Sequence, residues 1–449
     1  MAIAELYERI RFRGQPGANA AAVIVRDDVR VTVLTPRLLR LEWSETGEFE
    51  DRSTYAFPTR YVDRCPEFDL REENGVLTID TGPLTMRYRL GTGRFTAENL
   101  EIAVAFDGGS VSWHPGMDST GNLFGTRRTL DECAGDAPLE LGPISCDGWA
   151  LLDDSKNVVF GDDGWVGPRP DYTLQDWYFF GYGHDYTGAL QDYTVFGGDV
   201  PLIPRFVLGG WWSRYWAYSE QDLRDLVKQF EDHDVPLDVF VIDMDWHTPH
   251  SWTGYTWNRD LFPDPPAFLG WLHDKGLRVT LNLHPAEGIQ SFEDVYAQMA
   301  RAMGIDPETG ETVPFRIADK VFVKHYFELI HHRMEDEGVD FWWMDWQQGE
   351  ISEVKGLDPL PWINHLHFND IKRRGVRPML YSRWGGLGNH RYYIGFSGDT
   401  IVGWDALQFQ PYMTATASNV LYGWWSHDIG GHMGGATEPE LYARWVQFG

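Results

Sequence analysis

Cysteine is scarce in this sequence, with only Cys65, Cys133 and Cys146 present. An odd number without metal-type spacing argues against a disulfide framework and against a thiolate metal site. Long apolar runs are missing as well. No stretch approaches the roughly 18 uninterrupted apolar residues of a transmembrane helix, so no membrane partner is expected. The N-terminus, MAIAELYERIRFRGQ, lacks the apolar core and cleavage site of a signal peptide, and the expected setting is cytoplasmic. Positive charge is in deficit: 38 Lys and Arg against 67 Asp and Glu give a formal charge of −29. An acidic chain repels phosphate backbones and anionic headgroups, so no nucleic-acid partner is expected. No GxGxxG motif follows a predicted strand, which removes the main dinucleotide-binding alternative, and no cofactor is expected. The sequence carries no sign of an oligomeric state.

What the chain has in excess is aromatic surface. Its 449 residues include 21 Trp, 20 Tyr and 25 Phe. A large core packed with bulky rings accounts for such a composition, and so does a pocket for a ligand with flat apolar faces and polar edges, such as a sugar. Composition leaves both open.

The two halves read differently. In residues 1–200, apolar side chains alternate with polar ones, as in Val29, Val31 and Val33 around Arg30 and Thr32. The same holds for Leu84, Met86 and Tyr88 around Thr85 and Arg87. Period-2 alternation broken by Gly, Pro, Asn and Asp predicts half-buried antiparallel strands and a β-sandwich. Helical signals are weak in this half. From residue 201 to 449, continuous apolar runs alternate with helical segments. Seven runs stand out: 206–212, 238–243, 277–284, 340–345, 377–383, 393–399 and 419–425. Ser219 is placed to cap the first intervening helix, and 440–448 reads as a last helix. Parallel strands buried on both faces and separated by helices predict a (β/α)₈ barrel, incomplete because no eighth strand precedes Gly449.

In such a barrel the active site lies at the C-terminal strand ends. Here those ends are acidic and aromatic. The second ends in Asp243, followed by Asp245 and Trp246, and the third in His284. Asp345 ends the fourth between Trp343 and Trp346, and Arg383 and Trp384 end the fifth. Asp399 ends the sixth, and His427 and Asp428 follow the seventh. One Asp after a strand is often a helix cap. Six polar strand ends, most of them beside aromatics, are better explained by a site. Paired carboxylates in an aromatic pocket suit glycoside hydrolysis, in which one attacks the anomeric centre and the other protonates the leaving oxygen. Sequence spacing leaves retaining and inverting geometries open.

The strings WWMDWQQG (342–349), SRWGGLGNHRYYIGFSGDT (382–400) and GWWSHDIGGH (423–432) resemble glycoside hydrolase family 31, the α-glucosidase and α-xylosidase family. NLFGTRRTLDE (122–132) and DGWALLDDS (147–155) resemble its N-terminal β-sandwich, and GWWSRYWAYSEQDL (210–223) its first barrel strand. The resemblance implies a retaining α-glycoside hydrolase with Asp345 as nucleophile, passing through a β-glycosyl-enzyme intermediate, and Asp399 as general acid/base. It also implies that Arg383 contacts sugar and nucleophile, that Asp243 binds sugar hydroxyls, and that Trp343 and Phe396 wall the sugar site. Trp404 fits the GDxxxxW pattern that starts at Gly398. Substrate contacts are further expected from His284, His427 and Asp428. The implied partner is an α-linked oligosaccharide or glycoside.

WMDWQQG departs from the commoner WxDxNE pattern, which marks a divergent branch. The family also carries a strand-eight histidine and C-terminal β domains beyond the point where this sequence stops, so a partial polypeptide is expected. Two alternatives keep the fold: an α-transglycosylase, and a carbohydrate-binding protein without turnover. A metal-dependent hydrolase using His247, His250, His284, His331 and His332 is disfavoured because HxH and HExxH spacings are missing.

Overall fold

The computed structural model describes residues 3–170, 173–347, 349–383, 386–392 and 394–449. The chain falls into two compact units. One comprises residues 3–11, 202–383, 392 and 394–396, and the other 12–170, 173–201, 386–391 and 397–449.

The unit carrying most of the N-terminal half contains two five-stranded sheets. In one, Asp69–Glu73, Val76–Asp80, Leu84–Arg89, Leu100–Phe106 and Gly109–Trp113 form an antiparallel meander in chain order. Its first hairpin turns at Asn74 and Gly75, with φ of 54° and 75°, the left-handed pair required by a two-residue turn matching the strand twist. Leu84, Met86 and Tyr88 are buried and Arg87 and Arg89 exposed, as alternation predicts. The other sheet runs Val23–Arg26, Val29–Thr35, Leu38–Ser44, Thr173–Phe180, Ala150–Asp153, again antiparallel. Both sheets bury side chains into one apolar cluster that includes Val31, Leu41, Met86, Ile102 and Trp113.

The opposite face of the second sheet corrects the half-buried expectation. Arg30, Thr32, Arg40 and Glu42 are buried too. Arg30 grips Glu42 through Nε at 2.6 Å and Nη2 at 2.8 Å. Arg40 holds Asp176 at 2.8 and 2.7 Å, and Arg169 reaches the same Asp176 at 2.9 Å. Charges can be buried here because each is paired. A helix, Tyr186–Gly197, also forms where none is expected, capped by Asp185 and burying Ala189, Tyr193 and Phe196. Its glycine and β-branched residues lower the propensity that a sequence reading depends on.

The other unit is built on six parallel strands in chain order: Trp211–Trp212, Val239–Ile242, Arg278–Leu283, Phe341–Met344, Tyr381–Ser382 and Ile394–Gly395. Helices separate them. Glu220–Asp232 starts from a reciprocal cap between Ser219 and Asp222, and Pro265–Asp274 starts from Asp264 with proline in its first turn. Lys320–His325 continues through a π-helical turn, Tyr326–His331, into His332–Glu337. Pro359–Asp370 precedes the fifth strand. The register Ile242↔Leu281, Leu283↔Met344, Met344↔Ser382 and Ser382↔Gly395 brings Asp243, His284, Asp345, Arg383 and Phe396 to one end of the sheet.

Four expected strands change: 377–383 keeps only Tyr381–Ser382, and the described part of 393–399 only Ile394–Gly395. In 206–212 only Trp211–Trp212 is extended, and Arg205–Leu208 is a 3₁₀ turn. Residues 419–425 form no seventh strand: Ser418–Val420 is a 3₁₀ turn, and Leu421 at φ 65° breaks the extended run. Helices Trp404–Ala417 and Pro439–Phe448 flank it within the unit that carries the N-terminal sheets. Tyr393, where the sixth expected strand begins, lies outside the described residues. All three cysteines are free. Among the described residues, no helix is long and apolar enough to cross a membrane.

Candidate active site

Asp345 directly follows the fourth parallel strand, and its backbone N–H still donates to Leu283 O at 3.1 Å. This last ladder bond fixes where the side chain leaves the sheet. Both carboxylate oxygens are engaged. Oδ1 accepts from Arg383 Nε at 2.5 Å. Oδ2 accepts from Asn282 Nδ2 at 2.8 Å and lies 3.2 Å from His284 Nε2. Burial alone would raise the pKa of Asp345, but Arg383, then His284, hold its carboxyl well below the usual carboxylate range. The group is therefore an anion throughout the pH range in which proteins work, with its charge aimed by partners from two other strands.

Arg383 is itself held in place. Its guanidinium lies 4.7 Å above the Phe396 ring, and Phe396 packs against Tyr381 at 5.0 Å and Trp343 at 5.3 Å. Trp343 and Phe396, expected as walls of a sugar site, are thus a buried floor that carries the arginine. The Trp343 Nε1 is buried and has no hydrogen-bond partner among the described residues. Trp384, expected beside Arg383, lies outside the described residues.

Asp243 follows the second strand, and its Oδ1 accepts from Met244 N at 2.7 Å, capping a 3₁₀ turn. It opens onto a cleft shared with Asp245, Trp212, Trp216, Tyr218 and Trp246. Burial pushes the Asp245 carboxyl up. Trp216, 61% exposed, carries the Arg214 guanidinium 5.3 Å above its ring. Two carboxylates among aromatic faces match both the edges and the faces of a sugar ring. His284 is packed edge-on by Trp252 at 5.0 Å, and Trp252 is 45% exposed. Sequence reasoning missed Asn282 and Trp252. Asn282 lies two residues before His284, and that strand parity was the available signal.

In the other unit, Asp399 is placed by a segment remote in sequence. Its N–H donates to Asp131 Oδ1 at 2.7 Å, and its carbonyl accepts from Glu132 N at 2.9 Å. Leu130 N donates to Ser397 O at 2.6 Å. His432 Nε2 lies 3.6 Å from Asp399 Oδ2, and its Nδ1 lies 3.8 Å from Asp428 Oδ2. Asp131 and His432 were also missed. His427 is engaged at both nitrogens, with Ser397 at 3.2 Å and Thr414 at 3.1 Å. It stacks between Trp425 and Phe448, and burial pushes its pKa down to about 4. Trp404 opens a helix and is exposed, its Nε1 donating to Glu438 at 3.2 Å.

The histidines weighed for a metal site disperse. His247 Nδ1 is paired with Thr248 O at 2.9 Å. His331 is fully buried against Tyr326 and Trp342. His332 bonds Asp370 at 2.7 Å, and His250 packs on Phe292. Among the described residues, only Asp399, Asp428 and His432 bring three potential ligand atoms within 4.8 Å of one another.

Comparison with known proteins bears on both units. The model of the Glycosyl hydrolases family 31 TIM-barrel domain matches residues 200–449. An α-xylosidase of Saccharolobus solfataricus is 24% identical over 300 residues, covering 60% of this chain and 40% of that protein. Alpha-glucosidase 2 of Bacillus thermoamyloliquefaciens is 27% identical over 311 residues, covering 61% and 38%. The chain thus spans about two fifths of the length of these curated relatives. Among solved structures, a GH31 α-xylosidase from a soil metagenome, complexed with xylose, has a TM-score of 0.69 at 16% identity, covering 95% of this chain and 74% of that one. A Flavobacterium johnsoniae GH31 dextranase complexed with glucose has a TM-score of 0.72 at 16% identity, covering 98% and 64%. At that identity the likeness is one of fold.

Proposed function

Because this chain belongs to glycoside hydrolase family 31, we propose that it is a retaining α-glycoside hydrolase acting by double displacement. Asp345 attacks the anomeric carbon of an α-linked substrate and displaces the aglycone, giving a β-glycosyl-enzyme ester. Asp399 donates the proton that the departing oxygen needs, then takes one from water, which releases the α-configured sugar and restores Asp345. Arg383 keeps the attacking carboxylate ionised, and Asp243 binds sugar hydroxyls. His284, Asp428 and Trp404 complete the proposed substrate contacts, while the buried Trp343 and Phe396 support Arg383, and His427 is held by Ser397 and Thr414. Residues 1–200 are read as a β-sandwich domain and 201–449 as the catalytic barrel.

One observation carries this reading. Asp345 is a buried carboxylate at a strand end, held as an anion by the 2.5 Å Arg383 pair, with donors on both oxygens. A nucleophile needs that state, whereas a helix cap does not. The backbone anchoring of Asp399 on Asp131 and Glu132 supports the acid role, since it fixes where that carboxylate leaves the chain. Names among the relatives, α-xylosidase and α-glucosidase, point to xylose or glucose as the sugar.

The test is turnover of a panel of p-nitrophenyl α-glycosides by the parent and by Asp345→Ala. The parent releases nitrophenol and the variant does not. Azide restores release in the variant and gives a β-glycosyl azide, identified by NMR. An α-linked azide, or full activity of Asp345→Ala, overturns the assignment.

A further inference from the structure

Asn282 and His284 stand two residues apart on the third parallel strand and around its end, so their side chains leave the same face of the sheet. Asn282 is almost fully buried in a strand whose neighbours are apolar. Its Nδ2 donates to Asp345 Oδ2, while its own Oδ1 has no hydrogen-bond partner among the described residues. An ionised carboxylate only accepts, so the amide must present its nitrogen to Asp345. The cost of burying an amide oxygen unpaired is therefore tied to that one contact. Arg383 reaches the opposite oxygen from the fifth strand. With a donor on one oxygen only, a carboxylate can still turn about its Cβ–Cγ bond. Donors from two different strands, one on each oxygen, fix its plane.

We infer that Asn282 is a positioning residue for Asp345, an uncharged donor that sets the plane of the carboxylate opposite the Arg383 ion pair. This rests on the reading of Asp345 as nucleophile. The choice of an amide matters chemically. His284 Nε2 also lies 3.2 Å from Oδ2, and an apolar residue at 282 would leave that oxygen to the imidazole alone. The amide orients without neutralising.

The experiment compares the full chain with Asn282→Ala, Asn282→Asp and Asp345→Ala, using p-nitrophenyl α-glucoside or α-xyloside, whichever the parent turns over. Thermal melting checks that each variant is folded. Asn282→Ala is expected to lose roughly 100-fold in kcat, the scale of a small misplacement of a reacting group, with KM nearly unchanged. Asn282→Asp is isosteric and sets a second carboxylate against Oδ2. The acid limb of its kcat/KM profile is expected to move up by about one unit or more, because two carboxylates in contact share a proton. A parental kcat in folded Asn282→Ala, or a parental pH profile in Asn282→Asp, overturns the inference while leaving the nucleophile in place. Activity retained by Asp345→Ala overturns the reading beneath it. A parent that neither turns over nor is labelled by a 5-fluoroglycosyl fluoride overturns both.

Discussion

Arg383 Nε lies 2.5 Å from Asp345 Oδ1, and both side chains are buried. The pair combines residues that end neighbouring parallel strands, so its length is set by the strand spacing rather than by a flexible loop. Arginine is suited to the position because its planar group can bond a carboxylate edge and lie flat on the Phe396 ring at once. Arg383→Lys keeps the charge and loses both geometries. We expect kcat/KM to fall on the order of 100-fold in Arg383→Lys and further in Arg383→Ala, comparable to removal of a preorganised electrostatic partner. Steady-state kinetics against the parent checks this. Equal activity of the lysine variant would show that only the charge matters.

A second prediction concerns acid stability. His367 and His390 are pushed down to about 3 by burial, and His247 and His427 to about 4. The sign follows from which state binds protons. Below about 6.5 the unfolded chain takes up protons on these rings and the folded chain does not. Their contribution is fully present above pH 6.5 and is lost as pH falls toward 4. Each ring costs about 1.4 kcal/mol per pH unit within its window. Asp154, raised to about 6 by burial, works the other way, since its folded form gains a proton first. Burial likewise raises Glu42, Glu293, Glu335 and Asp245 and lowers His325 and His331. The histidine contributions are lost from about pH 6.5 downward, ahead of most of the carboxyl gains, so the urea midpoint should drop between pH 7 and 5. His367→Gln should flatten that slope by about one proton; an unchanged slope would mean the ring is protonated in the folded state.

The ionic face of the N-terminal sheet allows a third. Arg40 holds Asp176 at 2.7 Å, and neither reaches solvent. Arg40→Met leaves Asp176 buried with only part of its compensation, and we expect a loss of about 3–5 kcal/mol in denaturant unfolding. Lys228 pairs with Asp232 at 2.5 Å on an exposed helix face, and Lys228→Ala should leave the denaturant midpoint nearly unchanged. Similar losses for both would mean that the sheet face admits water.

These partners also show where the sequence is legible. Parallel strands announce themselves as continuous apolar runs, and the residue ending each run is the one delivered to the site, so Asp243, Asp345 and Arg383 could be named from spacing alone. Burial on the second N-terminal face could not. Arg30, Arg40 and Glu42 read as solvent-facing by type, and only pairing across strands makes them core residues. Asn282 was hidden because a polar residue inside a buried strand resembles an exception until its partner, 63 positions away, is seen. The run 419–425 misled for the opposite reason: its composition is that of a strand, but one left-handed residue, Leu421, stops it. Composition reports what a segment can bury, and backbone conformation decides whether it extends.

The placement of Asp399 yields the last prediction. Its N–H donates to Asp131 Oδ1 at 2.7 Å, across 268 positions of sequence, so Asp131 bears on Asp399 through the backbone. If Asp399 protonates the leaving oxygen, its removal should matter in proportion to the leaving group's need for a proton. A dinitrophenolate departs unaided, whereas a sugar alkoxide does not. Asp399→Ala should therefore lose on the order of 100-fold or more with a disaccharide, the scale of general acid catalysis, and far less glycosylation rate with a dinitrophenyl α-glycoside. Asp131→Ala, which strips the N–H of this acceptor, should show the same ranking at smaller amplitude. Asp131→Asn keeps an acceptor oxygen and should stay near the parent. The check is the slope of log(kcat/KM) against leaving-group pKa across a series of aryl glycosides. A steeper slope in Asp399→Ala and Asp131→Ala than in the parent means that proton donation has been weakened. Parallel lines displaced downward would mean that the carboxylate and its support serve binding or folding instead, and another group would have to be the acid.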